Sequence, residues 1–275
     1  MLGVNTTLKI LFENRAVKID YNNIKYLCIA DLHLGFELDY LRKGVRHIEQ
    51  QSFEIIDKVS ALLESHSTDV LLLLGDVKHT ITRTTNYEKR LLDAFFEKTI
   101  GEKDLSVLIV RGNHDGHLDY EIPKKYNQRV KILSSLKLGK ISLFHGHKKP
   151  HTEESQAPYW ITGHIHPSIL LKDKFNNFTK EHVFLELNLS EHNIESLSDN
   201  KIIENYLINK KILVLPPFNW YLAGYSLNLP RKRTSNITKK ELGYIGSVIQ
   251  KVPEFTKIYL IDGTYLTTLD KIYLK

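Results

Sequence analysis

"YLCIADLH", residues 26–33, is an apolar run that stops at an aspartate and a histidine. Five consecutive apolar residues, Tyr26 to Ala30, are too few for an ordinary helix and suit a strand buried on both faces. The segments that follow extend this reading. Residues 47–63 place Ile48, Ile55, Ile56, Val59, Leu62 and Leu63 at mostly helical spacing, "VLLLL" (70–74) is a second buried strand, residues 87–100 put Leu91, Leu92, Phe95 and Phe96 on one helix face, and "LSVLIV" (105–110) is a third strand. The order βαβαβ predicts a parallel sheet with helices packed on it, because parallel strands need a long crossover between them.

Beyond Val130 the helical signal thins and short strands follow one another at 130–137, 141–144, 159–162, 168–172, 182–187 and 211–215. This predicts a second, more antiparallel sheet in the same domain. Ser190 to Asn209 is polar and reads as an insertion or a short helix. Residues 230–241 read as a connector, followed by a helix over 238–250 and strands at 257–261 and 265–274.

Each core strand leads directly into polar residues. Asp31 and His33 follow the first, and Asp76, Lys78 and His79 the second. Arg111, Asn113, His114 and Asp115 follow the third, His145 and His147 follow "ISLF", and His164 and His166 follow "YWIT". Ligand sites of α/β sheets lie beyond the carboxyl ends of the strands, so these side chains can converge. Glycines at 75, 112, 146 and 163 stand at the exits, where sharp turns or close approach are needed. No serine or cysteine is placed as a nucleophile, and no phosphate-binding glycine loop is present. Two aspartates, an asparagine and several imidazoles are oxygen and nitrogen donors suited to Mn, Fe, Zn, Co or Ni. Their number exceeds the four ligands of one zinc. It fits two ions sharing a carboxylate, roughly 3.5–4 Å apart, an arrangement known for displacement at phosphorus.

The ordered blocks "DLH", "GD", "GNHD", "HGH" and "GHIH", from Asp31 to His166, resemble the calcineurin-like binuclear metallophosphoesterases. "ADLHLGFE", "GDVKH" and "LPPFNWYLAGYSLN" are similar to a subfamily of predicted phosphoesterases that includes DNA ligase-associated members. The resemblance implies an α/β fold, mixed α+β in detail, built as a four-layer αββα sandwich of two mixed sheets flanked by helices. It implies that Asp31, His33 and His166 hold one metal, that Asn113, His145 and His164 hold the other, and that Asp76 bridges them. His145 is preferred to His147 because the family's ligand precedes the glycine. His114 would assist the leaving group, with Asp115 orienting it, and Arg111, Lys78, His79 and His147 would contact phosphate or support the ligands. "LPPFNW" (215–220) occupies the place where the family closes its second sheet beneath the site. There Pro216 and Pro217 stiffen the turn, and Phe218, Trp220 and Tyr221 pack in the core or rim, with base stacking as the alternative.

Composition bounds the rest. At 42% apolar and 25% charged the chain is globular in character, and no apolar run reaches the roughly 18 residues that span a bilayer. The first twenty residues lack a basic start followed by an apolar stretch, so no secretory signal is expected, and the expected location is the cytoplasm with no membrane partner. The single Cys28 falls in a core strand, and His117, His151, His182 and His192 read as surface residues. The formal net charge is +6, and from Arg231 onward nine Lys and Arg stand against four Asp and Glu. That basic segment reads either as a solvated surface with excess lysine or as a site for a phosphate-rich partner, DNA or RNA. Residues 1–275 are expected to form one metallophosphoesterase domain, with a metal-ligand core over 26–170 and a basic C-terminal extension over 230–275. The expected activity is metal-dependent hydrolysis of a P–O bond by a metal-bridging hydroxide with two divalent ions, manganese first. The leading substrate is a phosphodiester and, more narrowly, a nucleic acid. The alternatives are a small-molecule phosphodiesterase or phosphomonoesterase and a non-catalytic scaffold. Nothing in the sequence fixes an oligomeric state.

Overall fold

The computed structural model describes residues 6–45, 50–101, 103–195, 204–229 and 239–274. Strands β1 (Thr6–Leu11), β2 (Ala16–Tyr21), β3 (Ile24–Ile29), β4 (Val70–Leu73), β5 (Ser106–Val110) and β6 (Val130–Leu133) form a six-stranded sheet in that order. β1 to β3 are antiparallel, while β3 to β6 run parallel. The crossovers carry α2 (Gln51–Ser65) and α3 (Asn86–Thr99), as the βαβαβ pattern predicts. α3 starts on a capping box: Thr85 accepts from the Glu88 backbone, and the Glu88 carboxylate accepts from the Thr85 N–H, satisfying helix-end donors. A short helix, α1 (Glu37–Arg42), follows the exit of β3.

The second sheet contains β7 (Leu136–Leu138), β8 (Ile141–Leu143), β9 (Tyr159–Thr162), β10 (Pro167–Lys172), β11 (Phe178–Leu189), β12 (Lys210–Val214), β13 (Tyr225–Ser226), β14 (Thr256–Leu260) and β15 (Tyr265–Thr268). It is mixed: β8, β9 and β12 are parallel neighbours, and β10, β11 and β14 pair antiparallel. Two short helices, α4 (Thr152–Ser155) and α5 (Glu191–Glu195), lie in its connections. α6 (Lys239–Lys251) packs on its outer face and is broken at Gly243 (φ 60°, ψ −166°).

Three apolar clusters separate four layers. Leu27, Ile29, Leu71, Leu73 and Val107 meet the inner faces of α2 and α3. Their strand neighbours Tyr26, Cys28, Leu72 and Leu74 point the opposite way and meet Leu143, Ile161 and Phe184 of the second sheet. Trp160, Leu185, Ile212 and Val214 meet Ile245, Val248 and Ile249 of α6. Side chains alternate across a strand, so a strand buried on both faces is apolar throughout, which is why "YLCIA" and "VLLLL" carry no polar residue. The arrangement is the expected αββα sandwich of two mixed sheets.

Several local expectations change. The strand expected over 130–137 is two strands in different sheets, because Ser134 and Ser135 carry the chain across between them. β11 is twice the expected length, since its outer half pairs with β10 beyond the apolar run. The strand expected over 265–274 ends at Thr268 in a 3₁₀ turn. His182 is buried rather than superficial: its Nδ1 accepts from the Arg15 guanidinium at 2.7 Å, and Arg15 also donates to the Pro217 carbonyl. Phe218 is fully buried, Tyr221 stacks on Phe36 (centroids 5.9 Å apart), and Lys58 covers the Trp220 ring. The "LPPFNW" aromatics therefore pack against the first core rather than presenting a face for a base. The basic run at 231–233 lies outside the described residues. Among the described residues no helix is long and apolar enough to cross a membrane.

Candidate metal centre

β3, β4 and β5 in one sheet and β8 and β9 in the other end on the same side of the molecule, and the backbones of their exits interlock. His33 N–H donates to the Asp76 carbonyl (2.8 Å), Gly163 N–H to the His145 carbonyl (2.9 Å) and Phe218 N–H to the Ala30 carbonyl (2.8 Å). The exits are contorted. Asp31, His33, Asp76, His164 and His166 all have positive φ, between 44° and 78°. Such backbone is costly for residues with a Cβ and persists where surrounding structure enforces it, typically at functional sites. Gly112 permits the closest approach, because a Cβ there would stand 2.1 Å from Asp76 Oδ1.

Two triads form. Donor atoms of Asp31, His33 and His166 lie within 4.8 Å of one another, and so do those of Asp76, His145 and His164. Asp76 lies between them: its Oδ2 is 3.4 Å from His33 Nε2 and 3.3 Å from His145 Nε2. His145 Nε2 is also 3.2 Å from Asn113 Oδ1. His145 Nδ1 faces the Leu74 carbonyl at 2.8 Å, so Nδ1 carries the proton and Nε2 is the nitrogen that faces Asp76. His147 stands to one side, its ring centroid 5.2 Å from that of His145.

Burial sets the charges. It pushes His164 down to about 2 and His147 to about 4, with the charge of His145 adding to both. It likewise holds His33 well below the usual histidine value. Burial also opposes charge on His145, but Asp76, Asp31 and the Leu74 carbonyl outweigh it and hold His145 up at about 10. Asp76 stays well below the usual carboxylate range because His145, His33 and His114 surround it and overcome its own burial.

The cluster is left incomplete by the protein alone. Among the described residues Asp31 Oδ1 and both ring nitrogens of His164 are buried without a hydrogen-bond partner. His33 Nε2 and His166 Nε2 face each other at 3.2 Å. Each unsatisfied buried polar group costs about 1–3 kcal/mol, which a bound ion would remove. Ionised carboxylates and imidazoles fit a divalent metal, the positive ion taking the place of the proton that His145 holds between Asp76 and the Leu74 carbonyl.

The remaining expected residues separate. His114 lines the cleft above the triads; its Nδ1 bonds the His79 carbonyl, and its Nε2 is 3.9 Å from Asp76 Oδ2. The Asp115 carboxylate is taken up by backbone donors rather than by that ring. It is fully buried and accepts backbone N–H groups from Asp76, Val77 and Gly112, each at 2.8 Å. Its position behind the Asp76 loop, rather than behind His114, corrects the sequence expectation. Lys78 is also turned away: it is fully buried, and its ammonium donates to the Thr80 and Thr82 carbonyls. Arg111 Nη2 donates to both carboxylate oxygens of Asp119. His79 lines the cleft, with Nδ1 3.3 Å from His33 Nδ1 and Nε2 3.2 Å from Asp39 Oδ2. Asp39, on α1, was not expected at the site; it has no sequence signal beyond an ordinary exposed helix acid. The cleft has a volume of about 650 Å³ and apolar walls that include Ile81, Leu222 and Leu242. α6, whose Leu242 lines the cleft, also presses its break onto the site, where a Cβ at Gly243 would stand 2.5 Å from His164 Nε2.

The sequence pattern of the calcineurin-like phosphoesterases matches residues 24–214, and the chain belongs to that family. The family and the His/Asp clusters together make it a metal-dependent phosphoesterase. No curated protein sequence matches the chain significantly. Among solved structures the fold is similar to that of the nuclease MPE from Pseudomonas putida, with a TM-score of 0.56 and 17% identity over 96% of this chain and 100% of that one. A predicted phosphoesterase from Streptococcus pneumoniae aligns with a TM-score of 0.25 and 13% identity over 88% of this chain and 91% of that one.

Proposed function

We propose that the chain is a phosphodiesterase that uses two divalent metal ions, manganese first, and that its substrate class is a nucleic acid strand. The observation that carries the two-ion reading is Asp76 Oδ2, which lies between His33 and His145 while each triad supplies further nitrogen and oxygen donors. Asp31, His33 and His166 would hold one ion, Asn113, His145 and His164 the other, and Asp76 both. When bound, the ions supply Lewis acidity and lower the pKa of a water.

The protein's own groups complete the chemistry. The His79 carbonyl can only accept, so His114 Nδ1 carries a proton and Nε2 is the nitrogen that faces the cleft. Protonated there, it gives its proton to the departing oxygen. Ile81, Leu222 and Leu242 limit water around that oxygen. The ligand candidates all fall within 26–170, and α6 packs against them from the C-terminal segment, which supports reading the chain as one unit. The nuclease reading draws on the likeness to nuclease MPE and on the basic net charge. A small-molecule diester is the second reading, favoured by a cleft volume within the usual range for small ligands.

The test is hydrolysis of bis-p-nitrophenyl phosphate, single-stranded DNA and RNA by Mn²⁺-loaded protein, with metal content measured alongside. Asp76→Ala should lose both turnover and bound metal. Full activity in that variant would sink the shared-carboxylate assignment, and inactivity of the parent with every divalent ion would sink the enzyme reading.

A further inference from the structure

A second cleft of about 590 Å³ opens on the other side of Asn113 and His145. Asn113 lines both clefts, so they meet at the metal cluster. Their walls differ in charge. Among the described residues the first has no Lys or Arg in its lining, whereas the second is lined by Arg111, Lys148 and Lys149 and by no Asp or Glu. Two of those cations are already engaged, Arg111 with Asp119 and Lys149 with Glu204 (2.8 Å). Lys148 is exposed and has no ion pair among the described residues. His151 adds an exposed ring, and His147 Nδ1 is buried in the wall without a partner.

We propose that this second cleft is a subsite for a further phosphate of the substrate, adjacent to the phosphate held at the metal cluster. It rests on the phosphodiesterase reading above and narrows it. A substrate spanning both exits needs an apolar or ring-bearing group on the Leu222 and Leu242 side and an anion on the Lys148 side. A nucleotide chain has this alternation; an isolated diester such as bis-p-nitrophenyl phosphate has no anion to place there. Lys148 is the free charge, while Arg111, tied to Asp119 and to the Asp115 carbonyl, forms a fixed wall. A lysine ammonium meeting a phosphate is a charge-assisted hydrogen bond, stronger than a neutral one.

The test is calorimetric titration of the full Mn²⁺-loaded chain with adenosine 3′,5′-bisphosphate, 5′-AMP and 3′-AMP, with ligand integrity checked afterwards. The bisphosphate should bind about tenfold tighter than either monophosphate, which is what one charge-assisted hydrogen bond provides. Lys148→Glu should erase that preference while leaving the monophosphates bound. Equal affinities, binding of none of the three, or a preference that survives Lys148→Glu combined with Lys149→Glu overturns the subsite. Because the readout is binding, an intact bisphosphate preference in a protein that hydrolyses no diester would strike the phosphodiesterase reading and leave the subsite standing.

Discussion

The Asp115 carboxylate holds the Asp76 loop: its Oδ2 accepts from the Asp76 N–H at 2.8 Å and its Oδ1 from the Val77 N–H at 2.8 Å. Burial, with the charge of Asp76 nearby, lifts Asp115 to about 6 against the pull of those donors. Asp115→Asn keeps one acceptor oxygen and turns its amide N–H toward the Val77 donor or toward those of Asp76 and Gly112, leaving both sides of that contact unsatisfied. Stability should fall by about 2–4 kcal/mol, since each buried orphan donor costs about 1–3 kcal/mol. Metal affinity should fall with it, because the central carboxylate loses its seat. Thermal unfolding and metal titration check both; a variant as stable as the parent, with changed activity alone, would restore a direct catalytic role.

His114→Ala should behave in the opposite way. The ring is partly exposed and packs only its edge against His33, centroids 4.7 Å apart, so folding should persist. Turnover should drop by about 10²–10⁴, the usual share of general acid catalysis. The drop should be larger for alkyl leaving groups than for p-nitrophenolate, which leaves without a proton. A uniform loss across leaving groups would contradict proton donation.

His79 should act on the metal through His33. With His33 Nδ1 donating to His79 Nδ1, and His79 Nε2 donating to Asp39, His33 Nε2 keeps its lone pair for the metal. His79→Phe removes the acceptor and frees the tautomer. Metal affinity should weaken about 10–100-fold, as for other partners of ligating histidines. Unchanged Mn²⁺ binding by calorimetry would refute it.

His182, away from the metal cluster, should add its own share to the acid sensitivity. Burial first, then Arg15 and His166, depress it to about 4 in the folded state, against about 6.5 in an unfolded chain. Between those values the unfolded state binds a proton that the folded state refuses. The contribution is present above about pH 6.5 and lost as pH falls toward 4, up to roughly 3 kcal/mol. His182→Gln should flatten the stability–pH slope in that window, measured by denaturant titration at several pH values.

The layers and the convergence of five strand ends are legible in the sequence because they follow from local rules: unbroken apolar runs, helical spacing between them, and polar residues at the exits. What is not legible depends on partners far along the chain. Lys78 and His79 are adjacent, yet one is buried on loop carbonyls and the other lines the cleft. Nothing local separates them. Asp115 follows His114 directly, which suggested a pair, but the turn at Gly112 aims the carboxylate at the Asp76 backbone. The depth of His182 depends on Arg15, 167 residues away. The β1–β2 hairpin was not anticipated, and the register of α6 on His164 is set by a glycine whose role appears only when the helix is docked.

The positive φ angles of Asp31, His33, Asp76, His164 and His166 carry a cost in stability that glycine at the same positions would not bear. Backbone of this kind costs a residue with a Cβ about 1–3 kcal/mol. Random substitution that selects for robustness alone would drift toward glycine at these positions and lose the donors with each gain. Metal binding works in the other direction, stabilising only the folded chain that holds the donors in place. Ions held at the proposed centre would then be part of what keeps this sequence folded, and a chain starved of metal would be under pressure to discard its site before its fold.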